Sequence, residues 1–247
     1  VCTALAVASF LPGVRSAAAQ TLSPPQTPQV PRAFTGLFRD TVSDFGHLAS
    51  KKALTTLAVG GLIAAAAHGM DRRATDMLTT SDDMGFLGAG EAIGSARAQF
   101  GSALATLVAG QLIGNGRLAA VGADLVSANL VAQTLTIGMK TAVRRGRPDG
   151  TEFSFPSGHA STTFAAATVL QRHFGWKAGV PAYAMASYVA ASRIHDKRHF
   201  LSDVTFGAAV GIVSGWSVTV GQGKAQFSVA PVATRGGGGV GFTWTGQ

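Results

Sequence analysis

Six apolar runs separated by short polar stretches set the pattern of this chain. Ala53 to Ala67, rich in Ala and Gly, predicts a first helix that Asp71, Arg72 and Arg73 bring to an end. Gly101 to Ile113 predicts a second. Leu118 to Thr141 predicts a third, interrupted by Asp124, Asn129 and Gln133. Ala160 to Leu170, Gly179 to Ala191 and Val204 to Val220 predict the fourth, fifth and sixth. The stretch up to Ala92 is polar and Gly-rich, with Ser81 and Asp82 as cap candidates, and reads as a loop with a short helix. Upstream, Phe34, Leu37, Phe38, Val42 and Phe45 recur at helical spacing, as in an amphipathic helix that lies on a membrane or, the safer reading, packs on the core. Phe227 to Ala233 and Val240 to Trp244 alternate in part around Arg235-Gly-Gly-Gly-Gly239. That pattern predicts a short β-hairpin with a flexible tip, its competitor being a plain Gly-rich tail. The expected fold class is all-α, with about six core helices within residues 32–222 and the hairpin or tail at 223–247.

The first thirty residues read differently. Ala4 to Leu11 is apolar, and Ser16-Ala17-Ala18-Ala19 offers a small-residue cleavage site before Gln20, so residues 1–19 are expected to be an export signal that lacks its basic start. Residues 20–31 hold four prolines and little apolar content, as a linker does.

Composition narrows the partners. Of 247 residues, 47% are hydrophobic and 13% charged, and mean hydropathy is +0.27. A soluble domain carries about 25% charged residues, so membrane association is expected, with a soluble periplasmic protein as the alternative. A spanning helix needs about twenty apolar residues, and Val204 to Val220 is the run that approaches this. A net charge of +8 suits an anionic partner such as a phosphate ester or a lipid headgroup. No nucleic-acid motif accompanies the charge, and nucleic acid is not expected as a partner. Cys2 is the one cysteine, which excludes an internal disulfide and a thiolate metal site.

Three blocks between Lys140 and Asp203 carry the chemistry. The first runs from Lys140 to Arg147-Pro148. On a continuous helix Lys140, Arg144 and Arg147 would share a face, and Pro148 would then turn the chain. The second is Pro156-Ser157-Gly158-His159, suited to a helix start that binds an anion through a hydroxyl and open backbone N–H groups. His159 there stands where it can protonate a leaving oxygen. The third is Ser192-Arg193, five residues, His199, three residues, Asp203. On a helix His199 and Asp203 would share a face, with the carboxylate fixing the tautomer so that the other ring nitrogen attacks. Cations, a helix N-terminus, an acid and a nucleophile are what phosphoryl transfer needs. The pairs Arg144/Arg145 and Lys197/Arg198 read as a solvated basic face or a substrate rim, Arg144 being the best rim candidate. His47, His68, His173 and His195 read as structural or surface residues.

These blocks, K-x6-RP, PSGH and SR-x5-H-x3-D, resemble the phosphatidic acid phosphatase type 2 (PAP2) superfamily, which also holds bacterial acid phosphatases and vanadium haloperoxidases. The resemblance covers roughly Leu118 to Val220. It implies that Lys140, Arg147, Ser157, Gly158 and Arg193 hold phosphate, that His159 is the general acid and His199 the nucleophile, and that Asp203 orients His199. It implies no metal, and no cofactor is expected. Seven residues separate Pro148 from Pro156, so any lid is short. The expected activity is a metal-independent cell-envelope phosphatase acting on lipid phosphates or diphosphates, with its site facing the periplasm. The alternatives are a broad-specificity periplasmic acid phosphatase or phosphotransferase, a vanadate-dependent haloperoxidase, and a non-catalytic envelope protein.

Overall fold

The computed structural model describes residues 45–79 and 86–219, and the backbone alone of 226–234 and 237–245. The expected export signal, the linker and most of the amphipathic run from Phe34 lie outside the described residues; only 45–47 of that run form a helical turn. The helices are α1 (Lys51–His68), α2 (Asp71–Thr79), α3 (Ala89–Gly94), α4 (Ala96–Leu112), α5 (Gly116–Val143), α6 (Gly158–Phe174), α7 (Trp176–His195) and α8 (Leu201–Val218). Each expected apolar run falls on one of the long helices, with Ile113 and Thr219 as C-caps just beyond α4 and α8, and cap chemistry sets the ends. The Ser50 hydroxyl accepts from Ala53 N–H at 3.2 Å, that of Ser95 from Ala98 N–H at 3.2 Å, and the Asn115 side chain from Leu118 N–H at 3.0 Å.

Two expectations change. Asp71, Arg72 and Arg73 do not close the first helix into a loop; they open α2, which departs from α1 at 69°. Nor do Asp124, Asn129 and Gln133 interrupt α5. Asp124 and Asn129 point inward, and Asp124 Oδ2 lies 2.7 Å from His173 Nε2 of α6. A polar residue breaks an apolar run on paper, yet a buried partner lets the helix continue. At 28 residues α5 therefore joins α8 as long and apolar enough to cross a membrane, and the bent α1–α2 pair makes up to three such spans among the described residues.

The interior is built from small side chains. Gly207, Gly211 and Gly215 form one stripe of α8 against α6. A Cβ on Gly211 would lie 2.3 Å from the Ser161 carbonyl oxygen and 2.8 Å from Ala165 N. The two backbones thus touch where a side chain would separate them. Around this seam pack Ala128, Val131, Ala132, Ala165 and Val169, all fully buried. Several large apolar residues lie outside: Leu62, Leu112, Trp176 and Val180 are each more than 60% exposed.

One end of the bundle collects the C-termini of α1, α5 and α7 and the N-termini of α6 and α8, through His68–Arg145, His199–Arg193 and Ser157–Asp203 contacts. The other end carries Lys51, Lys52, Arg117, Arg172 and Lys177. There Lys52 Nζ stands 3.8 Å over the Trp216 ring and the Arg117 guanidinium 5.0 Å from that of Phe174. Separately, β1 (Gln226–Thr234) pairs antiparallel with β2 (Gly237–Thr245), with Gln226 opposite Thr245 and Thr234 opposite Gly237.

Candidate active site

The site is assembled from the end of α5, the loop that follows it, and the starts of α6 and α8. Lys140 lies in the last turn of α5, and its ammonium donates to the carbonyls of Phe153 and, at 3.5 Å, Ser154. The helix ends three residues later. Arg144 takes the left-handed conformation (φ 50°), its N–H donates to the Lys140 carbonyl at 3.0 Å, and its guanidinium turns back to the Thr141 carbonyl. The expected face of Lys140, Arg144 and Arg147 on one helix is therefore absent. Arg144 is an exposed cap, and Arg147 stands on the loop.

That loop is short and internally bonded. Arg147 N–H donates to the Thr151 carbonyl at 2.7 Å, Gly150 N–H donates back to the Arg147 carbonyl, and Asp149 N–H reaches the Lys197 carbonyl at 3.1 Å. The Asp149 carboxylate accepts from the Thr151 hydroxyl and N–H and from Arg198, which hold its pKa down to about 2. Arg198 and Lys197 thus brace the loop. Arg147 itself is pressed below the usual arginine range by burial and by Arg198 and Arg193, and its Nε has no hydrogen-bond partner.

Ser157 caps α6, with its hydroxyl 3.4 Å from Ala160 N, and its own N–H donates to the Asp203 carbonyl at 3.0 Å. Pro156 precedes this cap rather than standing in the first helical turn. A Cβ at Gly158 would meet nothing closer than Thr136 Cγ2 at 3.6 Å, so packing does not demand the glycine. What it leaves open is the N-terminal backbone of α6. His159 follows. Burial, Arg193 and His199 lower its pKa to about 4, against a smaller opposing pull from Glu91, and its buried Nε2 has no partner. Gly94 at the end of α3 closes over its ring: a Cβ there would lie 3.0 Å from His159 Cδ2 and 2.4 Å from Val189 Cγ1.

Arg193 is 2% exposed at the end of α7, where it pairs with Asp196 and, at 3.5 Å, Glu91. His199 does not lie on a helix. It sits in the loop before α8, its N–H bonded to the Arg193 carbonyl at 3.1 Å. Asp203 stands in the first turn of α8. Its Oδ2 accepts from Phe200 N–H at 2.8 Å and from the Ser154 hydroxyl, while Oδ1 accepts from Arg145 Nη1 at 2.7 Å. His199 Nδ1 lies 3.8 Å from Asp203 Oδ2, beyond hydrogen-bond range. Burial is the main cause that lowers the His199 pKa, and Lys140 and Arg147 add to it against the pull of Asp203.

All eight expected residues thus meet at one end of the bundle. Of the buried side-chain polar atoms left unpaired among the described residues, Arg147 Nε, His159 Nε2 and His199 Nδ1 all belong here. Asp71, Ser154 and Glu91 were not expected, and Arg145 was expected only on a solvated face or substrate rim. Arg145 had only its place beside Arg144 to mark it, and Asp71, about seventy residues upstream, carried no local signal.

Residues 133–227 match the sequence profile of the PAP2 superfamily. The lipid A 1-phosphatase of Porphyromonas gingivalis is 43% identical over 108 residues, which cover 40% of this chain and 24% of that protein. The decaprenylphosphoryl-5-phosphoribose phosphatase of Mycobacterium tuberculosis is 36% identical over 105 residues, 38% of this chain and 58% of its own length. The chain therefore spans between a quarter and somewhat over half of these relatives. The crystal structure of Aquifex aeolicus LpxE superposes with a TM-score of 0.52 at 21% identity, over 60% of this chain and 94% of that one, which fixes the fold. Over residues 133–227 the chain is thus similar to the PAP2 superfamily, and its helical bundle is similar in fold to that of the Aquifex aeolicus protein.

Proposed function

We propose that this chain is a membrane-embedded phosphatase that removes phosphate from lipid phosphoesters through a phosphohistidine. The observation that carries the reading is the convergence of two unpartnered buried nitrogens, Arg147 Nε and His159 Nε2, with Lys140, Arg193 and the start of α6 around a buried imidazole whose pKa is lowered.

The residues supply each step. Lys140, Arg147, Arg193, the Ser157 hydroxyl and the Gly158 N–H hold the phosphate oxygens and offset the charge that grows on them. His199 Nε2 attacks phosphorus, and the bond to the ester oxygen breaks in line. That oxygen leaves with a proton from His159. Water then attacks phosphorus, gives its proton to His159, and expels His199 as the free imidazole with phosphate. With the proton that His159 takes from the monoanionic ester the sequence balances, so activity is expected in EDTA.

A lipid substrate is supported by the inverted packing, with small residues inside and Leu62, Leu112, Trp176 and Val180 outward. The names of the relatives point the same way.

The test is phosphate release in EDTA from phosphatidate in detergent and from a water-soluble aryl phosphate, with His199→Ala as control. Release from the lipid well above the aryl ester, abolished by His199→Ala, is expected. Full activity in that variant would falsify the mechanism.

A further inference from the structure

Arg145 stands between two carboxylates. Its Nη1 donates to Asp203 Oδ1 and to the Ser202 hydroxyl, both at 2.7 Å. Its Nη2 donates to Asp71 Oδ2 at 2.7 Å and lies 3.2 Å from His68 Nδ1. The guanidinium carbon sits 4.3 Å from the Phe200 ring centroid. Asp71 in turn accepts from Ser202 N–H and from the Ser202 hydroxyl, each at 2.8 Å. The side chains of Asp71 and Asp203 are 5% and 0% exposed.

We infer that Asp71 and Arg145 are positioning residues for the reaction: Arg145 fixes the Asp203 carboxylate, and Asp71 sets how much of the arginine's charge Asp203 feels, so that the pair tunes the protonation of His199. This rests on the phosphohistidine reading. One guanidinium paired with Asp203 alone would cancel the carboxylate's field at the imidazole. A second buried carboxylate on the same guanidinium draws that charge away and restores the field. The other charged or titratable groups facing His199 are Lys140 from α5, Arg147 from the loop and His159 from α6. Facing Arg145 are His68 of α1, Asp71 of α2 and Asp203 of α8. Asp71 lies outside the segment that matches the family profile, so the tuning element comes from the upstream part of the chain.

The two charges push in opposite directions, and that separates tuning from mere bracing. Arg145→Gln leaves Asp203 without a cation, favours protonated His199, and moves the acid limb of kcat/KM to higher pH. Asp71→Asn, which can still accept from Ser202 N–H, turns the full arginine charge on Asp203 and moves the limb to lower pH. Each shift should be about one pH unit, with KM changed less than about threefold, because the phosphate-holding groups are untouched. Ser202→Ala removes two hydrogen bonds, from Arg145 and to Asp71, without removing a charge and should leave the limb in place.

The measurement is the pH profile of the purified full chain in detergent on a water-soluble phosphomonoester, with thermal melts alongside. Carbon-13 NMR of labelled histidines, assigned with His199→Ala, reads the same ionisation without turnover. Opposite displacements in the two charge variants support the inference; limbs and titration that stay at the parent position overturn it. If Arg145→Gln does not fold, Asp71→Asn decides alone. A parent chain that releases no phosphate sinks the phosphatase reading, and the NMR titration still decides the tuning.

Discussion

His199 and Asp203 face each other with Nδ1 and Oδ2 3.8 Å apart, while the carboxylate is already bonded to Arg145, Ser154 and the Phe200 N–H. The carboxylate is locked in place and the imidazole is the partner free to close the gap. Asp203→Asn keeps the shape and removes the charge. By comparison with other carboxylate–imidazole pairs, kcat should fall on the order of 10⁴-fold with KM nearly unchanged. A loss below tenfold in steady-state kinetics would show that Asp203 serves only as the cap of α8.

His159 has a buried, unpaired Nε2 beside Arg193. A general acid matters most where the leaving oxygen is basic. His159→Ala should therefore cost about 10²- to 10⁴-fold on an alkyl or lipid phosphate and far less on a nitrophenyl phosphate. Equal losses on the two esters would remove the acid role.

The two histidines place the pH optimum. His199 is lowered from the ordinary value of 6.5, so it remains a neutral nucleophile as pH falls, and the acid limb should lie below pH 6.5. His159 is lowered to about 4, so near neutrality the free site holds no proton there. The proton must then enter with a monoanionic phosphate ester, whose second ionisation lies near about pH 6. Accordingly kcat/KM should decline as pH rises through that value. A profile that keeps rising to pH 8 would contradict this order of protonation. Linkage has the same sign for stability. Both histidines resist protonation when folded, so the stability they contribute is present above about 6.5 and lost as pH falls below it.

The α6–α8 seam links packing to catalysis. Gly211→Ala would set a methyl 2.3 Å from the Ser161 carbonyl, against backbone that cannot swing aside. The cost should be about 1–3 kcal/mol, read as a lower melting temperature in detergent. Activity should fall with it, because His159 and Asp203 ride on the two helices that would be forced apart. Gly138→Ala meets nothing within 4 Å on the same criterion and should melt no lower than the parent.

How much of this was legible beforehand depends on how local the signal was. Lys140, Arg147, Ser157, Gly158, His159, Arg193, His199 and Asp203 sit in short blocks of fixed spacing, and all eight converge. The helical periodicity argument misled where the helix stopped early. A left-handed cap at Arg144 turns the chain, which carries Arg145 inward and leaves Arg144 outside, the reverse of their expected ranking. Asp124 looked like a break in an apolar run because its partner, His173, is 49 residues away. Asp71 was invisible for the same reason at greater range.

α6 and α8 begin side by side at the same end of the bundle, and each presents the positive end of its dipole there. At α8 a carboxylate of the chain itself, Asp203, folds back onto the Phe200 N–H. At α6 the corresponding turn holds Ser157, Gly158 and His159, with no acidic side chain in it. The protein thus contains two copies of one electrostatic socket, the first plugged from within and the second shaped for a plug of the same charge that arrives from outside.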